Sequence, residues 1–255
     1  MDRPAGDVDE GMDAPTLLVI GHETDPGVVP VQAGTLTSWA AERGVRVVPA
    51  VLAGTGPTAP LPDPAAVDAV AVLGSVQGAW DDAVPWLGAE IAYLDAVIGA
   101  GTPVLGICFG GQLLARVLGG RAEPASGRRE HGWQEIVTAA PEVVAPGPWM
   151  EFHFDTFTAP ASSEVLATSA RCDQAFRQGA HLGVQFHPEI TPAEFDLWVA
   201  RWTGTPLEER LPELGVDPVA LRAETVARAE ESRAASHVLF DAFAARAGLV
   251  TRTAA

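Results

Sequence analysis

Residues 104–114 read VLGICFGGQLL, an apolar run of strand character that turns through Gly-Ile-Cys-Phe-Gly directly into a helical pattern. So short a corner between strand and helix forces its central residue, Cys108, into a strained backbone conformation. The side chain of that residue then projects above the sheet, as in a nucleophile elbow. Gly106 and Gly110 supply the small positions that let the turn close and the helix pack on the strand. The helix points its N-terminus at the thiol, and its partial positive charge favours the thiolate. The amide of Phe109, next in the chain, is placed to donate to an oxyanion. A cysteine buried only for packing needs none of these glycines, so Cys108 is the candidate nucleophile.

The same alternation organises the N-terminal half. TLLVIG (16–21), VRVVPAV (45–51), the end of AVDAVAVLG (66–74) and TPVLGI (102–107) have strand character. Residues 31–43, 85–101 and 112–120 have helical spacing, and the second has an early Pro and a Gly just past its end. This order predicts an α/β fold: a mainly parallel, doubly wound sheet with helices on both faces. From about residue 130 the runs WQEIVTAA, WMEFHF, SEVLATSA, QAFRQG and HLGVQFH are short and divided by turns. They predict additional antiparallel strands extending the sheet. Residues 188–202 predict a helix, 203–216 a polar connection, and 217–247 one long helix opened by Asp217-Pro218 and stopped by Gly248. Its apolar face is read as Leu221, Val226, Val238, Leu239, Phe240 and Phe243, packed back on the chain's own domain. The organisation expected is a disordered acidic tail (1–14), one α/β domain (15–203) and a helical C-terminal extension (204–255).

Composition removes several classes of function. The 255 residues hold 33 acidic and 16 basic side chains, a formal net charge of −17. So acidic a chain is a poor ligand for nucleic acid, whose binding depends on displacing counterions with positive charge. Every basic residue is Arg; with no Lys anywhere, Schiff-base chemistry and P-loop phosphate binding are excluded. The two cysteines, Cys108 and Cys172, make no disulfide framework, and no apolar run reaches transmembrane length. The N-terminus is acidic and polar, unlike a signal peptide, so a cytoplasmic location is expected and no membrane partner.

A nucleophilic cysteine needs a base, and the base needs an orienting group. HLGVQFHPEI (181–190) offers both, because its apolar run ends at His187-Pro188-Glu189. Spacing of two in extended chain sends His187 and Glu189 to the same side, where the carboxylate can hold the imidazole. Cys172 is expected in the core. His22, His131, His181 and His237 show no metal-ligand spacing and are read as structural or surface residues. Neither a metal nor a cofactor is implied.

GICFGGQLLA, with QFHPE placing His187 79 residues after Cys108, resembles the class I (triad-type) glutamine amidotransferases. VLGSVQGAWDDAVPWLGAEIAYL resembles the family's oxyanion-loop region. EHGWQEI, FHFDTFTAP and CDQAFRQG resemble segments of its stand-alone members, related to the glutaminase domain of GMP synthase. The resemblance covers residues 16–200 in order and implies a flavodoxin-like sheet. It also implies a triad of Cys108 nucleophile, His187 base and acid, and Glu189 orienter. Amides at Phe109 and in Gly74-Ser75 would form the oxyanion hole; Gln112 would hold the amino-acid end of a small substrate, with His153 and Asp155 lining the pocket. The implied reaction is hydrolysis of glutamine to glutamate and ammonia through a thioester; either a separate synthetase accepts the ammonia or the enzyme simply hydrolyses. A γ-glutamyl peptidase or hydrolase with the same triad is the alternative, and a non-catalytic binding or regulatory module a third. The family's Gly-Gly-Pro is Gly74-Ser75-Val76 here, so a positive φ at the second position would strain Ser75.

Overall fold

The computed structural model describes residues 14–54 and 56–250, so the tail expected over 1–14 lies outside the described residues except for its last. In chain order the first half runs β1 (Thr16–Gly21), α1 (Val29–Gln32), α2 (Gly34–Glu42), β2 (Arg46–Ala53), β3 (Gly56–Pro57), β4 (Ala69–Val72), α3 (Leu87–Gly99), β5 (Val104–Ile107) and α4 (Phe109–Val117). Seven strands follow: β6 (Arg121–Pro124), β7 (Glu130–Thr138), β8 (Gly147–His153), β9 (Asp155–Thr158), β10 (Glu164–Thr168), β11 (Asp173–Gln178) and β12 (His181–Val184). Three helices close the chain: α5 (Pro192–Trp202), α6 (Pro206–Arg210) and α7 (Pro218–Ala247).

The main sheet has the order β3-β2-β1-β4-β5-β12-β11-β10-β7-β8. β2, β1, β4, β5 and β12 are parallel to one another. From β12 outward, β11, β10, β7 and β8 join antiparallel. The sheet is therefore mixed, as expected, with two differences of detail. The HLGV run, grouped by its shortness with the antiparallel strands, is β12 and runs parallel to β5, with Val184 opposite Ile107. β6 and β9 pair only with each other, as a separate two-stranded sheet. The chain winds to one side from β1 to β2 and to the other from β1 to β4. A crevice opens at the carboxyl ends of strands where winding reverses in this way.

Strand alternation divides the core between two helical layers. Leu17, Val19, Ala69, Ala71, Leu105 and Ile107 face a cluster shared with α2 and α7. Leu18, Ile20, Val70, Val72 and Val104 face a second cluster shared with α3 and α4. A third cluster joins α5 to Met150, Leu211, Val216 and Leu221. The 203–216 connection thus contains α6 and two buried apolar side chains. Among the described residues, no helix is long and apolar enough to cross a membrane.

The long C-terminal helix packs on the body of the chain. Asp217 Oδ1 accepts from the Val219 and Ala220 amides at its start, and Gly248 ends it at φ 72°. Leu239, Phe240, Phe243 and Ala244 lie in the α2 layer, while Leu221 reaches the α5 cluster. Asp241 receives Trp39 Nε1–H at 2.8 Å and a two-pronged contact from Arg43. Val226 and Val238, read from sequence as part of the apolar face, point outward and are exposed. Phe240→Ala should therefore cost about 3–5 kcal/mol in urea-unfolding stability. Val238→Ala, a neighbouring apolar truncation, should stay within about 0.5 kcal/mol of the parent.

Candidate active site

Cys108 sits between β5 and α4 at φ 52° and ψ −107°, at the helix N-cap. Only Cys108 and Ser126 among the described non-glycine residues have positive φ. Such a conformation costs about 1–3 kcal/mol and persists only where its surroundings enforce it. Backbone contact enforces it here. A Cβ on Gly106 would lie 2.3 Å from the Gly110 carbonyl oxygen, and one on Gly110 would lie 2.1 Å from that of Val72. Helix α4 thus begins directly against β5 and β4. The Cys108 amide donates to Val184 O of β12 at 2.9 Å. No side chain caps α4, so its first-turn amides, that of Phe109 among them, form an uncapped positive end beside the thiol.

His187 and Glu189 follow β12, the strand beside β5. The His187 Nδ1–H donates to Glu189 Oε1 at 2.7 Å, leaving Nε2 for the thiol. Burial pushes the imidazole pKa down, but the negative charges of Glu189 and then Cys108 outweigh it and hold it well above its ordinary value. The segment is clamped from outside. The Thr35 amide donates to Glu189 O at 2.9 Å and Thr35 Oγ1 to Pro188 O at 2.8 Å. From α7, the Ser236 hydroxyl donates to the same Pro188 oxygen. The long helix therefore braces the segment that carries His187 and Glu189.

The opposite wall is the loop after β4. A Cβ on Gly74 would lie 3.3 Å from His187 Cε1 and 3.9 Å from Cys108 Cβ, so any side chain here would press against both. Strain at Ser75 is not found, because its φ is not positive. The loop closes another way: Ser75 Oγ accepts from the Gln77 amide at 3.1 Å.

Cys108, His187, Glu189, Gly74, Ser75, Phe109, Gln112, His153 and Asp155 all line one cavity of about 210 Å³. Gln112 is buried and donates to Asp155 O at 3.1 Å and to Gln185 Oε1 at 3.3 Å. Gln185 in turn extends its amide to Cys108 Sγ at 3.7 Å. His153 donates from Nδ1 to Asp155 O at 2.8 Å. Burial raises the Asp155 carboxyl, against a hydrogen bond from Trp80 and the charge of His153.

The sequence reading missed four contributors. Gln185 lies two residues before His187, and that spacing was the available signal. Glu194 and Trp198 come from α5 and line the cavity, with Trp198 edge-on to the His187 ring at 4.7 Å. His22, set aside as structural or surface, also lines it.

Behind His153 lies a buried polar cluster. One ligating atom each of Glu130, His153 and Cys172 falls within 4.8 Å of the others. Glu130 Oε2 already accepts from Gln174 at 2.7 Å, Ser169 at 3.0 Å and the Cys172 thiol at 3.4 Å. Burial raises the Glu130 carboxyl, but the His153, Ser169 and Cys172 side chains beside it outweigh that and hold it below its usual range. Burial pushes the Cys172 thiol up to about 12. Glu151 alongside is raised well above the carboxylate range, by burial and then by Glu130. With its thiol protonated, the half-buried Cys172 joins Ser169 and Gln174 in donating to Glu130, while His153 Nε2 and both Glu151 oxygens are buried without a hydrogen-bond partner.

Comparison with known proteins follows the same lines. The profile of the family "Glutamine amidotransferase class-I" matches residues 63–202, more than half of the chain. A GMP synthase of Thermomicrobium roseum, described as glutamine-hydrolyzing, is 45% identical over 102 residues, or 37% of this chain and 19% of the relative. Its namesake in Staphylococcus aureus is 38% identical over 103 residues, 37% of this chain and 20% of the relative. The matched region spans about a fifth of those proteins. A glutamine amidotransferase structure from Thermotoga maritima superposes with TM-score 0.75 at 22% identity, covering 90% of this chain and 97% of that one. One from Methylobacillus flagellatus gives 0.72 at 22%, covering 94% and 97%. At those identities the structural likeness is one of fold.

Glu194 gives the site a testable pH signature. Burial pushes its carboxyl up to about 8, against the pull of Arg201 and with help from Glu189. The folded protein keeps a proton that the unfolded chain releases near 4.5. Stability from this group is therefore full below that pH and declines as pH rises toward 8. Glu194→Gln should flatten the fall in melting temperature across this window, as read by a thermal-unfolding pH series.

Proposed function

The chain belongs to the class-I glutamine amidotransferase family, and from that premise we propose that it is a cysteine hydrolase cleaving a γ-glutamyl amide through a thioester on Cys108. One observation carries the reading. A cysteine held at positive φ over a helix N-terminus shares a cavity with a His–Glu pair delivered by the adjacent parallel strand.

The chemistry follows from that arrangement. The Cys108 thiolate, faced by the His187 imidazolium, attacks the amide carbonyl carbon. The C–S bond forms as the carbonyl electron pair moves onto oxygen, where the Phe109 and Ser75 amides donate to it. One such donor contributes about 10²–10³ in rate. The tetrahedral adduct collapses to the thioester and expels the amine, which takes a proton from His187 Nε2. Neutral His187 then takes a proton from water, and the resulting hydroxide attacks the thioester, collapsing to glutamate and thiolate. Acid–base steps of this kind supply about 10²–10⁴ each. Gln112, His153 and Asp155 line the polar side of the cavity, where they would meet the amino-acid end of the substrate.

Glutamine is the first substrate to test, since the related GMP synthases are described as hydrolysing it. Ammonia released from it would go to a separate synthetase. A second reading, γ-glutamyl peptides or conjugates, is favoured by one feature. His187 is the group that protonates the departing amine, and its ring rests on Trp198. Phe152, Trp202 and Leu207 continue that wall, which suits a leaving amine bulkier and more apolar than ammonia. The non-catalytic reading draws on the altered loop Gly74-Ser75-Val76 and on the half-polar C-terminal helix; in that loop Ser75 does not take the positive φ that would strain it.

Purified protein should be assayed with glutamine, glutathione, γ-glutamylphenylalanine and γ-glutamylanilide. Turnover of at least one is expected, reduced by roughly 10³-fold or more in Cys108→Ala. Preference for the aromatic amides selects the second reading. Turnover of none, at any pH from 6 to 9, overturns both.

A further inference from the structure

A second buried His–Glu pair stands behind the wall formed by Gly74 and Ser75, and the triad makes no use of it. His22 follows β1, and Glu90 lies in the first turn of α3. The His22 Nδ1–H donates to the Gly74 carbonyl at 2.9 Å. Nε2 lies 3.2 Å from each oxygen of Glu90, a residue with no solvent exposure. Each contact needs its own proton, because a carbonyl only accepts.

We propose that His22 is a positioning residue that fixes the oxyanion-binding face of the Gly74–Ser75 peptide; the inference rests on the hydrolase reading above. A trans peptide is planar, with its N–H directed opposite to its carbonyl. The described residues contain no cis peptide. Holding the Gly74 carbonyl therefore sets the direction of the Ser75 amide. A flip of this peptide would exchange donor for acceptor at the wall facing Cys108, and it would break the bond to His22. Ser75 does not take a positive φ, so a left-handed conformation does not lock the loop. An external anchor does.

The anchor is itself rigid. The His22 ring stacks on Trp86 at 4.9 Å and meets Phe109 edge-on at 4.7 Å. Phe109 carries the other oxyanion donor. One ring thus touches both halves of the hole: the peptide on one side and the first residue of α4 on the other. Glu90 holds that ring through both of its oxygens.

Two kinetic readouts separate positioning from packing. Amide hydrolysis passes through an oxyanion, whereas alkylation of Cys108 by iodoacetamide does not. His22→Phe combined with Glu90→Leu keeps the aromatic contacts and leaves neither buried partner without its mate. In that variant kcat on the best γ-glutamyl substrate should fall roughly 10- to 100-fold with KM little changed. The alkylation rate of Cys108 should stay at the wild-type value. His22→Asn combined with Glu90→Leu, which keeps a donor near the Nδ1 position, should recover part of the loss. Wild-type kcat in the variant with His22→Phe and Glu90→Leu would overturn the proposal, as would a parallel drop in alkylation. A wild-type enzyme that is alkylated at Cys108 yet turns over no γ-glutamyl compound would instead remove the reading on which the proposal rests.

Discussion

Where helix α4 begins, its first turn lies on the strands with only backbone between them. The carbonyl of Gly110 occupies the space a side chain at 106 would need, and that of Val72 the space needed by one at 110. Much of the site follows from this approach. The chain can turn from β5 into α4 so abruptly only if Cys108 takes a positive φ, which carries its thiol to the crevice. The same closeness brings the open end of α4 to the sulfur, and with it the Phe109 amide. Neighbouring strand ends then supply the rest: Gly74 after β4, His187 after β12 and His22 after β1.

The parts of this site legible in sequence are those encoded within a few residues. Gly106, Cys108 and Gly110 state the turn, and His187-Pro188-Glu189 states an imidazole with a carboxylate to hold it. The alternation of runs states a wound sheet with helices on both faces. What stayed hidden depends on distant partners. His22 reads as a structural or surface residue after a strand until β1 lies beside β4, bringing it to a carbonyl 52 residues away and a carboxylate 68 residues away. Ser75 reads as a strained substitute for glycine until the loop is seen to close through its own hydroxyl. HLGV is as short as the antiparallel strands around it, and its direction is set by pairing with β5.

The C-terminal helix shows the same limit from another side. Its caps were legible at Asp217 and Gly248, and so were Leu221, Leu239, Phe240 and Phe243 of its buried face, but Val226 and Val238 point to solvent. Nor could sequence reveal that Ser236 reaches the carbonyl between the base and its orienter. With Thr35 on α2, that hydroxyl fixes a loop that must hold an imidazole within reach of the thiol. Precision at the triad thus depends on helices far along the chain.

All of these elements converge on one chemical claim, that Cys108 forms a covalent acyl bond with the substrate. Rapid acid quench during turnover of a γ-glutamyl amide, followed by peptide mass spectrometry, reads that bond directly. The account predicts a γ-glutamyl adduct on the peptide containing Cys108, formed at the rate of the first turnover and absent from Cys108→Ala. An active enzyme with no such adduct, or with the adduct on Cys172, would contradict it.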